Sequence, residues 1–150
     1  MHRDSAIREI GDLKGRRFAF GDRRSTIGRY LAQRYLFRHG IRAGDLAGYA
    51  YLGRHDKVGW AVALGLFDAG ALKEGTFAKL VHQGAPLREL ASFPNVTKPW
   101  VAAAHVSEAR FALLRESLLA LGPERFLPGD DRDFDFVRKA IEESAAFSGD

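Results

Sequence analysis

The stretch Asp12-Leu-Lys-Gly-Arg-Arg-Phe-Ala-Phe-Gly-Asp-Arg-Arg-Ser-Thr-Ile-Gly28 decides the fold. Arg17-Phe18-Ala19-Phe20 alternates as a short strand, and Gly21 breaks it. Ile27, Tyr30, Leu31 and Tyr35 then recur at helical spacing, predicting an amphipathic helix that ends near Gly40. A strand, a turn and a helix start thus follow one another directly. In open α/β sheets ligands bind at the carboxyl ends of strands. A helix start at that place offers N–H groups with no internal acceptor and a dipole that favours anions. Ser25 and Thr26 add two hydroxyls, and Gly28 lets a ligand approach the backbone with no Cβ in the way. Charge-assisted hydrogen bonds contribute about 1.5–3 kcal/mol each, so several give useful affinity for an oxyanion. A serine that only caps its helix, worth ~1 kcal/mol, fits the same letters. The pattern does not choose between the two.

Outward from this stretch, Leu46 to Leu52 reads as a second short strand closed by Gly53, followed by a helix from Asp56 to about Gly65. Phe67 to Leu72 reads as a buried strand rich in small residues, Thr76 to His82 as a helix, and Leu87 to Phe93 as a further strand. Pro94 and Pro99 bracket a loop, and Trp100 to Ala103 is extended. Ser107 can cap a helix through about Leu121, with Phe111, Leu114, Leu118 and Leu121 on one face. Gly122-Pro123 and Leu127-Pro128-Gly129 are breakers, and Phe134, Val137 and Ile141 mark a last helix. Strands alternating with helices predict an α/β fold, a mostly parallel sheet flanked by helices, with a helical C-terminal tail. Residues 1–150 are expected to form a single domain, 12–100 being the α/β lobe and 101–150 the C-terminal segment.

Composition narrows the function classes. The chain has 150 residues, 46% hydrophobic and 28% charged, as in an ordinary globular protein. The longest uncharged run, Val58 to Phe67, is too short for a membrane span, which needs ~20 apolar residues. With no cysteine, disulfides, thiolate metal sites and cysteine nucleophiles are excluded. The net charge of +4 can indicate an anionic partner. Its arginines do not form one block: Arg16, Arg17, Arg23, Arg24 and Arg29 gather near the first turn, and acidic residues dominate from Asp130 to Glu143. A local positive field around residues 16–29 is what remains of the basic excess. No helix-turn-helix or stacking motif accompanies it, so no nucleic-acid partner is expected.

His55-Asp56 follows the second strand at its carboxyl end, topologically the rim that carries Ser25. A histidine there could donate to the same anion while Asp56 caps the next helix; an ordinary loop histidine fits equally. Catalytic readings fail. No Gly-x-Ser-x-Gly elbow surrounds Ser25, the five histidines show no metal spacing, and the glycines from 40 to 48 lack a Walker lysine. Neither catalytic residues, nor a metal, nor a cofactor is expected; the residues favour binding over chemistry.

Two stretches together carry a resemblance. Asp12 to Gly28 resembles the DLKGKxFAFGDxxSTSG segment of phosphate/phosphite/phosphonate ABC-transporter binding proteins. Tyr51-Leu-Gly-Arg-His-Asp-Lys-Val-Gly-Trp-Ala-Val-Ala-Leu-Gly-Leu-Phe-Asp-Ala-Gly-Ala71 is similar to their GxHDxxxxAVxxGxVDAGA segment. The similarity runs from Asp12 to about Ala140. It implies one lobe of a type II periplasmic-binding fold, in which two α/β lobes close on a ligand. By this resemblance Ser25, Thr26, Ile27 and Gly28 would hold the oxyanion and His55 would add a hydrogen bond. Function follows as binding of a phosphonate, phosphite or phosphate by a partial solute-binding protein, with an ABC-transporter permease as partner of the full-length protein. The alternative is a ligand-sensing or regulatory domain of the same fold with a small anionic effector.

The departures from the family pattern are informative. Ile27 replaces the third hydroxyl of the Ser-Thr-Ser signature, although its N–H remains. Where aminophosphonate binders carry acids against the ligand amine, this chain aligns Gly75 (beside Glu74) and Lys98. A lysine there would repel an ammonium by ~4 kcal/mol at about 4 Å and an effective dielectric of roughly 20, so Lys98 favours a plain oxyanion or a ligand with extra negative charge. The chain starts about where the second lobe starts, and Met1-His2-Arg3-Asp4-Ser5 offers no signal-peptide core. Localisation is therefore periplasmic by resemblance, and cytoplasmic if the chain is the complete product. Apolar stripes on the last two helices, lacking a first lobe, are expected to drive a homodimer or domain swap, and an open one-lobed site to bind weakly.

Overall fold

The computed structural model describes residues 1–95 and 99–148. It forms two compact units, Met1–Asn95 with Phe136–Asp150, and Val96–Asp135. The first unit is the α/β lobe. Its elements are β1 (Arg17–Phe20), a helical segment Thr26–Leu31 running into α1 (Ala32–Arg38), β2 (Gly48–Tyr51), α2 (His55–Ala63), β3 (Ala69–Gly70) and α3 (Glu74–His82). The strands are parallel in the order β2-β1-β3, each crossover being made by a helix, as parallel pairing requires. Phe18 and Phe20 enter a core cluster with Leu36, Ile41 and Phe147. A second cluster, Val62, Leu80, Ala85 and Leu87, lies around α2 and α3. The expected layering, helices against a parallel sheet, is the one observed.

Two expected strands differ. The third shrinks from Phe67–Leu72 to Ala69–Gly70, which pair with Phe18 and Ala19 of β1. Beside that ladder the Arg17 N–H donates to Asp68 Oδ2 at 2.7 Å, so a carboxylate takes the place of a strand carbonyl. Leu87 to Phe93 forms no strand. Leu87 makes one antiparallel bridge with His2, and the Arg88 guanidinium donates to the carbonyls of Arg3, Ser5 and Ile7. The segment is thus tied to the N-terminal arm, where local apolar content had suggested a sheet strand. Trp100 to Ala103 is likewise without strand structure.

The connection from β1 to the helix is closed by two glycines. The Gly21 N–H donates to the Gly28 carbonyl at 2.8 Å. A Cβ on Gly28 would lie 2.9 Å from Gly21 Cα and 3.2 Å from Gly21 N. The absence of a Cβ at Gly28 thus allows this close approach of the chain to itself.

The tail divides. α5 (Asp135–Ser148) lies, from Phe136 on, in the same unit as the lobe. Phe147 is fully buried and meets Phe20 edge-on at 5.7 Å. Glu143 accepts from Arg34 Nε at 2.7 Å and from Arg38 at 3.1 Å. The boundaries thus fall at 95/96 and 135/136, unlike the expected division at 100/101, because aromatic packing and an ion pair hold α5 to its own lobe. In the second unit α4 (Glu108–Leu119) is capped by Ser107, as expected. Its Phe111 and Leu114 are about half exposed, and Trp100 packs edge-on against Phe126 at 5.6 Å. Among the described residues no helix is long and apolar enough to cross a membrane.

Two measurements check this arrangement. Gly28→Ala should destabilise the lobe by about 1–3 kcal/mol in denaturant unfolding, because the clash is with backbone rather than with a movable side chain. Hydrogen bonds from Arg38 and then Arg34 hold the Glu143 carboxyl below its ordinary value of 4.5. Its pair thus contributes stability above that value, which is lost as pH falls through the lower folded-state value. Glu143→Gln should flatten the acid limb of a stability–pH profile while lowering stability at neutral pH.

Candidate anion-binding rim

At the carboxyl end of β1 the chain turns through Gly21–Arg24, with the Arg24 N–H donating to Asp22 Oδ1 at 2.8 Å and the Ser25 N–H to Asp22 O at 3.0 Å. Ser25 is the N-cap residue, extended at φ −78° and ψ 124°. Its Oγ accepts from the Gly28 N–H at 2.9 Å. The cap reading of the sequence is thus realised, yet it uses only the oxygen's lone pair. The hydroxyl hydrogen is left to donate elsewhere. The helix opens as a wide π-turn: the N–H groups of Arg29 and Tyr30 both donate to Ser25 O, at 3.0 and 3.2 Å. Those of Thr26 and Ile27 precede any residue with a helical acceptor and point out of the helix start. Thr26 and Ile27 are half-buried and Gly28 is buried.

The neighbouring loop is stitched to this turn. Leu52 N donates to Phe20 O at 3.0 Å and Gly53 N to Gly21 O at 3.2 Å. Gly53 takes φ +80°, the left-handed conformation that favours glycine, and α2 begins two residues on with His55. The topology therefore brings the Ser25 turn and His55 to one rim of the sheet, as expected.

Asp56 is not the helix cap. Arg54 occupies that position and makes no side-chain cap bond. Asp56 lies in the first turn and accepts from Arg54 at 2.9 and 2.7 Å, and that hydrogen bond holds its carboxyl below the usual range. An open groove of about 620 Å³ runs beside His55 between α2 and α3, lined by Arg54, Asp56, Trp60, Thr76 and Lys79 among others. The Ser25 turn does not line it. Glu74 opens α3, and Lys98 lies outside the described residues. Among the described residues no cluster of histidine and carboxylate side chains is arranged to hold a metal ion.

Sequence reasoning missed one cluster at this rim. Gln33 is fully buried; its Oε1 accepts from Arg29 Nε at 3.2 Å and its Nε2 donates to the Tyr51 hydroxyl at 2.8 Å. The Arg23 guanidinium lies 4.6 Å from the centre of the Tyr51 ring. That of Arg29 lies 4.8 Å from Tyr30 and 5.6 Å from Tyr51. The positive field read around residues 16–29 contained both arginines, but nothing in the letters pairs them with a tyrosine more than twenty positions away. A glutamine four residues after Arg29, on a helix face otherwise apolar, was the available signal.

Comparison with known proteins now bears on the rim. A family model described as ABC transporter, phosphonate, periplasmic substrate-binding protein matches residues 1–140. Among solved structures, XAC2383 from Xanthomonas citri bound to chloride ion superposes with a TM-score of 0.69 at 22% identity, over 98% of this chain and 64% of that one. The same protein bound to ATP gives a TM-score of 0.64 over the same shares. PhnD1 from Prochlorococcus marinus (MIT 9301), in complex with methylphosphonate, is 29% identical over 56% of this chain and 32% of its own, with a TM-score of 0.49. The chain thus spans less than two thirds of the length of these structures. The Xanthomonas likeness shows the same α/β fold over nearly the whole chain. With a family match over nearly its whole length, the chain belongs to the periplasmic substrate-binding proteins of phosphonate ABC transporters.

Proposed function

We propose that this chain binds a phosphorus oxyanion (phosphonate, phosphite or phosphate) at the Ser25 turn, as part of a solute-binding protein that delivers its ligand to an ABC-transporter permease. The family is a solute-binding one rather than an enzyme family, and its members are periplasmic, which supports the same location for this chain. The observation that carries the reading is the Ser25 turn itself. The Ser25 hydroxyl hydrogen and the Thr26 and Ile27 N–H groups have no intrahelical acceptor at this helix start, and the neighbouring loop, tied by Gly53 N–H to Gly21 O, leads to His55.

The chemistry suits a tetrahedral oxyanion. Every group in the proposed first contact is a donor: the Ser25 and Thr26 hydroxyls, the two amides, and His55. The helix dipole adds a partial positive charge at the same place. Ile27 lowers the hydroxyl count of the turn but not its amide count.

Calorimetric titration with methylphosphonate, phosphite and phosphate tests the proposal. Thr26→Val keeps the shape and leaves the Ser25–Gly28 cap intact, and it should weaken binding roughly tenfold, the equivalent of one charge-assisted hydrogen bond. Ser25→Ala combined with Thr26→Val should weaken it further. Failure of the wild-type chain to bind any of the three anions, or indifference of binding to both variants, overturns the assignment.

A further inference from the structure

We infer that the ligand carries a second acidic group, held by Arg23 and Arg29 beside the oxyanion turn; this rests on the reading of Ser25 given above. The two arginines bracket the turn in sequence, and Arg29 Nη1 donates to Arg23 O at 2.8 Å, which folds the bracket closed. Both guanidinium groups lie over the Tyr51 ring. Tyr51 ends β2, two residues before the Gly53 that is bonded to Gly21. The arginine pair and the oxyanion turn therefore stand on the same rim.

This cluster is a built one. Fully buried Gln33 fixes Arg29 through its Oε1 and the Tyr51 hydroxyl through its Nε2. Because the Tyr51 oxygen accepts from Gln33, its own hydrogen is left to donate outward. Arg29 keeps Nη2 unspent. Among the described residues neither Arg23 nor Arg29 makes an ion pair, whereas Arg34, Arg38 and Arg54 each meet a carboxylate. The one carboxylate of the turn, Asp22, uses its Oδ1 on the Arg24 N–H. What remains is an array of donors with two fixed positive charges and, among the described residues, no carboxylate in ion-pair contact with either. A neutral substituent on the phosphonate gains nothing from it and an ammonium is repelled. A carboxylate or a second phosphoryl group supplies the missing charge and can take paired hydrogen bonds from guanidinium. The ligand class is then a small organic phosphonate or phosphate with a second acid on a short carbon chain.

Calorimetric titration of the chain with methylphosphonate and with phosphonoacetate, at about pH 8 and about 0.15 M salt to screen long-range attraction, separates the two readings. Phosphonoacetate should bind about tenfold more tightly or better, as expected for one added charge-assisted contact. Arg23→Gln should cut that ratio to about threefold or less, whereas Arg24→Gln, which removes the same charge from an exposed neighbour, should leave the ratio intact. Equal affinity for both ligands in the wild type overturns this inference alone, as does an equal effect of Arg23→Gln and Arg24→Gln. Absence of binding by either ligand overturns the oxyanion assignment and this inference with it.

Discussion

The lobe depends on the backbone of one residue, Gly21. The N–H of Gly21 is given to the carbonyl of Gly28, and the carbonyl of Gly21 accepts from Gly53. One residue therefore joins the end of β1, the start of the helix and the loop that leads to His55. That close approach exists only because residues 21 and 28 both lack a Cβ: at Gly28 an added carbon would lie 2.9 Å from Gly21 Cα, and at Gly21 it would lie 3.1 Å from Gly28 Cα. Backbone atoms cannot rotate out of the way as a side chain can. Separating the two strands of chain would move the Ser25 amides and His55 apart, so the constraint that makes the fold compact here also sets the geometry of the rim.

The same connection explains how much of this could be read from letters. β1, the helix after it, α2 and α3 were legible because each carries its period in a few adjacent residues, with Phe18 and Phe20 on one face of a strand and Val58, Ala61 and Val62 on one face of a helix. The rim was legible for the same reason, since parallel topology alone places residues 25 and 55 at strand carboxyl ends. The errors lie where an outcome depends on a distant partner. β3 is the length over which it pairs with β1, and Leu87–Phe93 is held by an arginine reaching back more than eighty residues. The Gly28–Gly21 approach was not legible because it forms only once the turn has formed.

Charge behaves in the same way. A net charge of +4 and a run of arginines suggested a positive field, but counting charges does not show which are answered. Arg34 and Arg38 are neutralised by Glu143, more than a hundred residues away, and the pair holds α5 on the lobe. Arg54 is neutralised two residues on by Asp56. Arg23 and Arg29 face an aromatic ring instead, whose attraction offsets little of their charge toward solvent. The field is therefore narrower than the sequence suggested and sits beside the Ser25 turn.

The letters of that turn fit a helix cap and an anion site equally, and the structure shows the cap. The Ser25 oxygen accepts from Gly28 N while its hydrogen is left to donate, so one hydroxyl can cap the helix and, in the proposed site, contact an anion at the same time. Stability and affinity are then coupled at Ser25 and separable at Thr26, which carries no part of the cap. A loss of binding on removing the Ser25 hydroxyl alone would mix a loosened helix start with a missing donor. The Thr26 hydroxyl isolates the donor, because the helix that presents it keeps its cap and its contact with Gly21.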